Sequence, residues 1–231
     1  MFTVGPVQEN SFLIRRDGGD RALLVDPGEE APKLLGAIKA LGVQLDAILL
    51  THCHFDHVGA VAPVAKATGA PVYCPQIEVP ILQDIMAYVP WAGFGPFESW
   101  DPEHTVAGGE RLSLAGYDID VLFTPGHSPG HVTYAIADGD EPTALFSGDR
   151  IADATGDRSP VALFSGDVLF QSSIGRTDLP GGDHATLLAS IATLMERFDD
   201  DAVVHPGHMG LTTLGAERAG NPFLSELSQP S

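Results

Sequence analysis

Thr51-His52-Cys53-His54-Phe55-Asp56-His57 is the stretch that decides how this chain folds. It follows Asp46–Leu50, an apolar run short enough for a buried strand, and precedes Val58–Thr68, which has helical character. His52 and His54 stand two residues apart, so on an extended segment both imidazoles point the same way. Asp56 and His57 follow where the chain turns into a helix and can aim at a second point nearby. Three more candidates sit at glycine-marked turns after apolar strands: His127 in Thr124-Pro125-Gly126-His127, Asp167 in Ser165-Gly166-Asp167, and His208 in Pro206-Gly207-His208. Together these are five histidines and two carboxylates. Two Zn²⁺ ions, each wanting about four N/O ligands, are satisfied by that set if one carboxylate and one hydroxide bridge them.

Outward from this core, short strands and helices alternate. No linker is long enough to divide the chain, so residues 1–231 read as one domain. Ser11–Arg15 and Ala22–Asp26 read as a hairpin around Asp17-Gly18-Gly19-Asp20. Glu30–Leu41 reads as a helix with Pro32 near its start, Leu34, Leu35, Ile38 and Leu41 at helical spacing, and Gly42 as its stop. Val72–Cys74, Leu112–Leu114, Ile119–Phe123, Val132–Ala137 and Val203–Val204 are strand candidates. His184–Phe198 is a late helix carrying Leu187, Leu188, Ile191, Leu194 and Met195 on one face. Glu78–Trp100 holds both tryptophans and several prolines, and reads as a helix plus a mobile flap. Ala144–Asp149 recurs letter for letter as Ala162–Asp167, which reads as a local duplication forming an extended hairpin.

Composition narrows the function. The 231 residues carry 12 Lys+Arg against 31 Asp+Glu, a formal charge of −19. Such an excess of anions excludes a phosphate-backbone partner and disfavours an anionic membrane surface. No run approaches the roughly 20 apolar residues that span a bilayer, and the start lacks the basic and apolar regions of a secretory signal. Cys53 and Cys74 are too few for a disulfide scaffold. The expectation is a soluble, cytoplasmic protein. Its 26 Gly and 18 Pro suit many short strands and functional loops rather than a helical bundle.

His52-Cys53-His54-Phe55-Asp56-His57 resembles the H-x-H-x-D-H signature of the metallo-β-lactamase superfamily. The resemblance extends to Asp26-Pro27-Gly28, to Thr124-Pro125-Gly126-His127-Ser128-Pro129-Gly130-His131, to Ser165-Gly166-Asp167 and to Pro206-Gly207-His208. Gly175-Arg176-Thr177-Asp178 and Glu217-Arg218-x-x-Asn221-Pro222-Phe223 look like the branch that holds glyoxalase II-like thioester hydrolases. It implies an α+β fold, a four-layer αββα sandwich with metals at one edge of two facing sheets. It also implies that His52, His54 and His127 hold one metal, that Asp56, His57 and His208 hold the other, and that Asp167 bridges. Asp167, unlike Asp149, leads into Val168-Leu169-Phe170 and Gly175-Arg176-Thr177-Asp178, as the family's bridging aspartate does.

The chemistry implied is metal-dependent hydrolysis of a small-molecule acyl-thioester by a binuclear-metal hydroxide, with zinc as the expected ion and iron or manganese as alternatives. The rivals are a mononuclear iron persulfide dioxygenase held by His52, His127 and Asp167, and a non-catalytic metal-binding protein. Flavo-diiron oxidoreductases carry a glutamate where His54 stands, and glyoxalase II has a longer C-terminal extension with cations for glutathione. β-Lactamase and nuclease activities are disfavoured by the missing signal and by the charge. Among the remaining candidates, His131 reads as a support for the ligands and Cys53 as no ligand. Asp26 reads either as a turn cap or as a support for the metal loop. His104, His184 and His205 read as ordinary surface or core residues.

Overall fold

The structure, a computed structural model, describes residues 1–89, 91–137 and 161–225, with Ala137 described in its backbone alone. Six strands form the first sheet in chain order: β1 (Phe2–Val4), β2 (Glu9–Arg15), β3 (Arg21–Val25), β4 (Gln44–Leu49), β5 (Val72–Pro75) and β6 (His104–Val106). The first three pair antiparallel and the rest parallel. Apart from Arg21, Gln44 and Asp46 near their starts, β3 and β4 are apolar because both faces are covered. Leu23 and Val25 point one way and Leu24 the other, as strand alternation requires.

The second sheet holds β7 (Arg111–Leu114), β8 (Tyr117–Phe123), β9 (Val132–Ala137) and β10 (Ala162–Gly166). A small hairpin of β11 (Leu169–Phe170) and β12 (Ser173–Ile174) follows, and β13 (Val203–Pro206) and β14 (Thr212–Thr213) complete the sheet in the order β14-β13-β10-β9-β8-β7. Only β10 and β13 run parallel there.

The inner faces meet in a core where Phe12, Leu23, Val25 and Leu49 pack against Ile119, Val121, Tyr134 and Phe164. Helices α1 (Ala31–Leu41), α2 (Phe55–Val58) and α3 (Val61–Thr68) lie on the first sheet's outer side, burying Leu34, Ile38, Val61 and Val64 against Leu24 and Ile48. α4 (Val79–Gln83) and α5 (Ile85–Tyr88) follow on the same side. On the far side α6 (His184–Arg197) buries Leu187, Ile191 and Leu194 against Leu122, Leu163 and Val204, and α7 (Leu214–Gly220) adds Leu214. This is the four-layer αββα arrangement that the motifs imply. Asp183 starts α6 by accepting the Thr186 N–H at 2.7 Å.

One expectation needs correcting. Residues 78–100 contain two short helices, α4 and α5, broken at Asp84, with a turn at 91–93 and irregular chain from 94 to 100, instead of one helix. Ala144–Asp149, including Asp149, lies outside the described residues. Among the described residues, Ala162–Phe164 pair with β9 on one side and β13 on the other. Finally, β1 and β6, each three residues long, are strands that the sequence does not announce. No helix among the described residues is long and apolar enough to cross a membrane.

Candidate metal centre

Four connections bring the candidates to one edge of the sandwich. β4 ends in the 51–54 segment, the β8–β9 turn carries residues 124–131, β10 runs into Asp167, and β13 runs into His208. His54 Nδ1 lies 3.1 Å from His52 Nε2 and 2.8 Å from His127 Nε2. Beside them Asp56, His57 and His208 form a second group, with Asp56 Oδ2 3.3 Å from His208 Nε2. Asp167 stands between the groups. Its Oδ1 is 3.3 Å from His57 Nε2, and its Oδ2 is 3.4 Å from His127 Nε2 and 3.6 Å from His208 Nε2. All seven sequence candidates are thus brought together.

Hydrogen bonds behind the rings fix which nitrogen faces the centre. The Thr51 hydroxyl donates to Asp26 Oδ2 at 2.7 Å, so it can only accept from His52 Nδ1 at 3.0 Å. His57 Nδ1 donates to Asp26 Oδ2 (3.0 Å), His127 Nδ1 to the Arg176 carbonyl (2.8 Å), and His208 Nδ1 to the Gln8 carbonyl (3.2 Å). Each Nε2 is left bare, with its lone pair aimed inward, the arrangement typical of metal-ligating histidines. Asp26 comes within ligand distance of His52 and His57 as well. Its oxygens are already taken by the Thr51 N–H (2.8 Å), the Thr51 hydroxyl and His57, so it supports the ligands and does not join them.

His131 behaves likewise. Its Nε2 accepts the Asp167 backbone N–H at 3.1 Å, its ring stacks on His52 at 4.9 Å, and its Nδ1 faces Thr124 Oγ1. Cys53 is buried with its Sγ 3.5 Å from that of Cys74. His205 is buried between Phe164 and Phe12, while His104 lies over Tyr73.

Charge in the site follows from burial and proximity. Burial, reinforced by neighbouring histidines, drives His52 well below the ordinary range and His54 down to about 4, so both rings are neutral. Burial by itself would raise the Asp167 carboxyl, but His57, His127 and His208 outweigh it and hold that carboxyl far below the usual range. Burial likewise opposes protonation of His57, yet Asp167 and Asp56 raise it. Positive charge is therefore wanted between these groups. His57 Nε2 and Asp167 Oδ1 are both buried without a hydrogen-bond partner. With His57 Nδ1 donating to Asp26, only a proton or a metal cation can sit between them. A Cβ on Gly207 would strike Asp167 Oδ1 and the His57 ring, so only glycine lets the His208 loop close on the centre. The donors fit divalent metal.

Three contributors, Glu78, Asn10 and Glu9, were not legible in the sequence, and Glu217 stood there only as part of a motif. Glu78 is buried, accepting Ser128 O–H at 2.8 Å and Gly130 N–H at 2.7 Å with one oxygen and facing Cys53 N–H with the other. It ties two ligand loops together. Asn10 donates to the Pro206 and Met209 carbonyls at 3.1 and 2.9 Å, anchoring the His208 loop to β2. Glu9 is buried beside His57, and burial pushes its carboxyl well above the usual range. Glu217 accepts from Ser172 N–H, Asn221 and the Thr212 hydroxyl, so the Glu217–Asn221 motif locks α7 to the β11–β12 hairpin. None of these residues follows a periodic pattern, and their partners lie up to 199 positions away.

The description of the metallo-beta-lactamase superfamily matches residues 4–154. The chain belongs to that superfamily. This superfamily member is 34% identical over 223 residues to the hydroxyacylglutathione hydrolase GloC of Haemophilus influenzae, covering 96% of this chain and 95% of the relative. Two solved structures are similar along nearly their whole length. The BLEG-1 B3 metallo-beta-lactamase is 37% identical with a TM-score of 0.81, covering 96% of this chain and 97% of that one. TTHA1623 in a di-iron-bound form is 39% identical with a TM-score of 0.76, covering 96% and 98%. The chain is a metallo-hydrolase with a divalent-metal site.

Proposed function

We propose that this chain hydrolyses acyl-thioesters, in the manner of a hydroxyacylglutathione hydrolase, at a two-metal centre. His52, His54 and His127 would hold one ion, Asp56, His57 and His208 the other, and Asp167 would bridge. Zinc is the first choice, with iron or manganese as alternatives. When bound, two such cations supply a nucleophilic water at neutral pH and a Lewis acid for the carbonyl oxygen.

The observation that carries the reading is the wall of the cavity above the centre. This cavity, about 750 Å³, reaches His54, Asp56, His127, Asp167 and His208. Outside that ligand set its described wall offers no carboxyl group, lysine or imidazole to protonate a leaving group, and its one phenol, Tyr88, is 54% exposed. An amide or β-lactam nitrogen needs a proton to depart, whereas a thiolate leaves without one. Asp26 and His131 keep the candidate ligands oriented, and Phe55, Trp91 and Phe170 line the cavity beside them with apolar surface. The full-length likeness to GloC supports the same chemistry. A small-molecule substrate, without nucleic acid or membrane, accords with the charge of −19, and a cytoplasmic setting accords with two adjacent free thiols at Cys53 and Cys74.

The test measures metal content and turnover on one preparation. Two metals per chain with thiol release from a thioester, and no oxygen uptake, is the expected result. One iron with oxygen consumed on a thiol persulfide, or β-lactam cleavage faster than thioester cleavage, would overturn it.

A further inference from the structure

We infer that the acyl half of the substrate is an apolar chain seated against the wall built by Phe55, Ile85, Tyr88 and Trp91, while the carrier thiol points into solvent; this rests on the thioester reading above. The cavity is large enough to enclose a drug-sized ligand, far more than an acetyl or lactoyl group fills. Its wall is chiefly aromatic and aliphatic, with Phe170 and Leu179 lining it as well. Tyr88, Trp91 and Met209 leave 54%, 44% and 56% of their surface open at the mouth. The Trp91 ring is nevertheless held in place, edge-on to Phe55 at 6.1 Å and beside Phe94, while Phe55 itself stacks on Phe97.

Charge decides which half of a thioester lies here. Arg176 is the only Lys or Arg in the described wall. Its guanidinium is closed by Asp178 through two contacts of 2.6 and 2.7 Å, and its face lies 5.8 Å from the Trp91 ring. Arg176 in turn holds the Asp178 carboxyl down to about 2. That wall therefore holds no Lys or Arg without a carboxylate partner to receive the carboxylate or phosphate of a carrier. Biological carrier thiols bear amides, carboxylates or phosphates, which need polar partners or water. The carrier must therefore leave through the mouth, and the apolar wall remains for the acyl group.

The experiment uses zinc-loaded full-length protein and a series of non-hydrolysable S-alkyl ethers of N-acetylcysteamine with two, four and six alkyl carbons, titrated by calorimetry. Burial of each methylene predicts about fourfold tighter binding, so six carbons should bind about 250-fold tighter than two. Trp91→Ala should cut that to less than twofold per methylene, and Trp91→Phe should restore most of it. Equal affinity along the series, S-methylglutathione binding tighter than the hexyl ether, or an unchanged slope in Trp91→Ala would each overturn the inference. The matching hexanoyl thioester separates the two layers of argument. No hydrolysis by the zinc-loaded protein overturns the thioester reading and the substrate with it. Hydrolysis without any chain-length dependence overturns the inference alone.

Discussion

Asp26→Asn changes one atom in a buried carboxylate, yet it should unsettle two ligands at once. Asp26 accepts three hydrogen bonds: Thr51 N–H at 2.8 Å, Thr51 O–H at 2.7 Å and His57 Nδ1–H at 3.0 Å. An asparagine offers one oxygen and an NH₂ in the same space, and its short side chain tolerates the positive φ of 46° found here. If the oxygen keeps the Thr51 N–H, the NH₂ faces Thr51 Oγ1 and His57 Nδ1. His57 must then give up its Nδ1 proton, which moves to Nε2, the atom turned toward the centre. The Thr51 hydroxyl, now accepting, turns its hydrogen onto His52 Nδ1 at 3.0 Å and forces the same exchange there.

Restoring the ligating tautomers leaves a buried donor facing a donor, at about 1–3 kcal/mol. That corresponds to metal affinity lower by about 10–100-fold. Competition with a chromophoric chelator measures the affinity, and nitrogen-detected imidazole correlations in the chelated protein report the tautomers. Wild-type affinity together with Nδ1-protonated His52 and His57 in the variant would refute the argument.

Three further outcomes are expected. Asp167→Asn should lose the second metal and lower turnover by at least about 100-fold, while Asp149→Asn leaves both intact, as elemental analysis with kinetics will show. His205 is buried and without a partner at Nε2, and burial lowers its pKa to about 3. The folded state thus refuses a proton that the unfolded chain accepts near 6.5, so its contribution is complete above that pH and is lost as pH falls toward 3. In chelated protein His205→Phe should remove about 2 kcal/mol of the stability lost between pH 6.5 and 5, read by urea unfolding. Glu217→Ala removes acceptors of three bonds of 2.6 to 2.8 Å and should cost about 3 kcal/mol in the same assay.

Much of the centre was legible because its ligands sit in short motifs at strand ends. Alternation then explains how His52 and His54 share one target while Asp56 and His57, on the first turn of α2, reach another. The helix at 184–197 was legible for a similar reason: its apolar face, Leu187 to Met195, repeats at helical spacing. Glu78 and Asn10 were not legible, since a carboxylate or amide shows no local trace of a partner on another loop. β6 escaped because three residues, His104 to Val106, are too few to show alternation. Identical sequences have identical strand propensity, but β10 takes its ladder partners from β9 and β13, contacts that local sequence does not encode.

His208 is held by the Gln8 carbonyl and its loop by Asn10, 196 to 200 positions earlier in the chain. During synthesis, a chain that has reached Asp167 has made six of the seven candidate ligands, and its receptacle is still open. The remaining imidazole arrives when β13 has emerged, and it is aimed only once the first two strands have docked against it. Complete loading with metal is therefore a late step in maturation and a report on closure of the whole sandwich. Because native binding draws on both ends of the polypeptide, bound ions should also slow proteolysis at sites far from the centre, by trapping the closed chain.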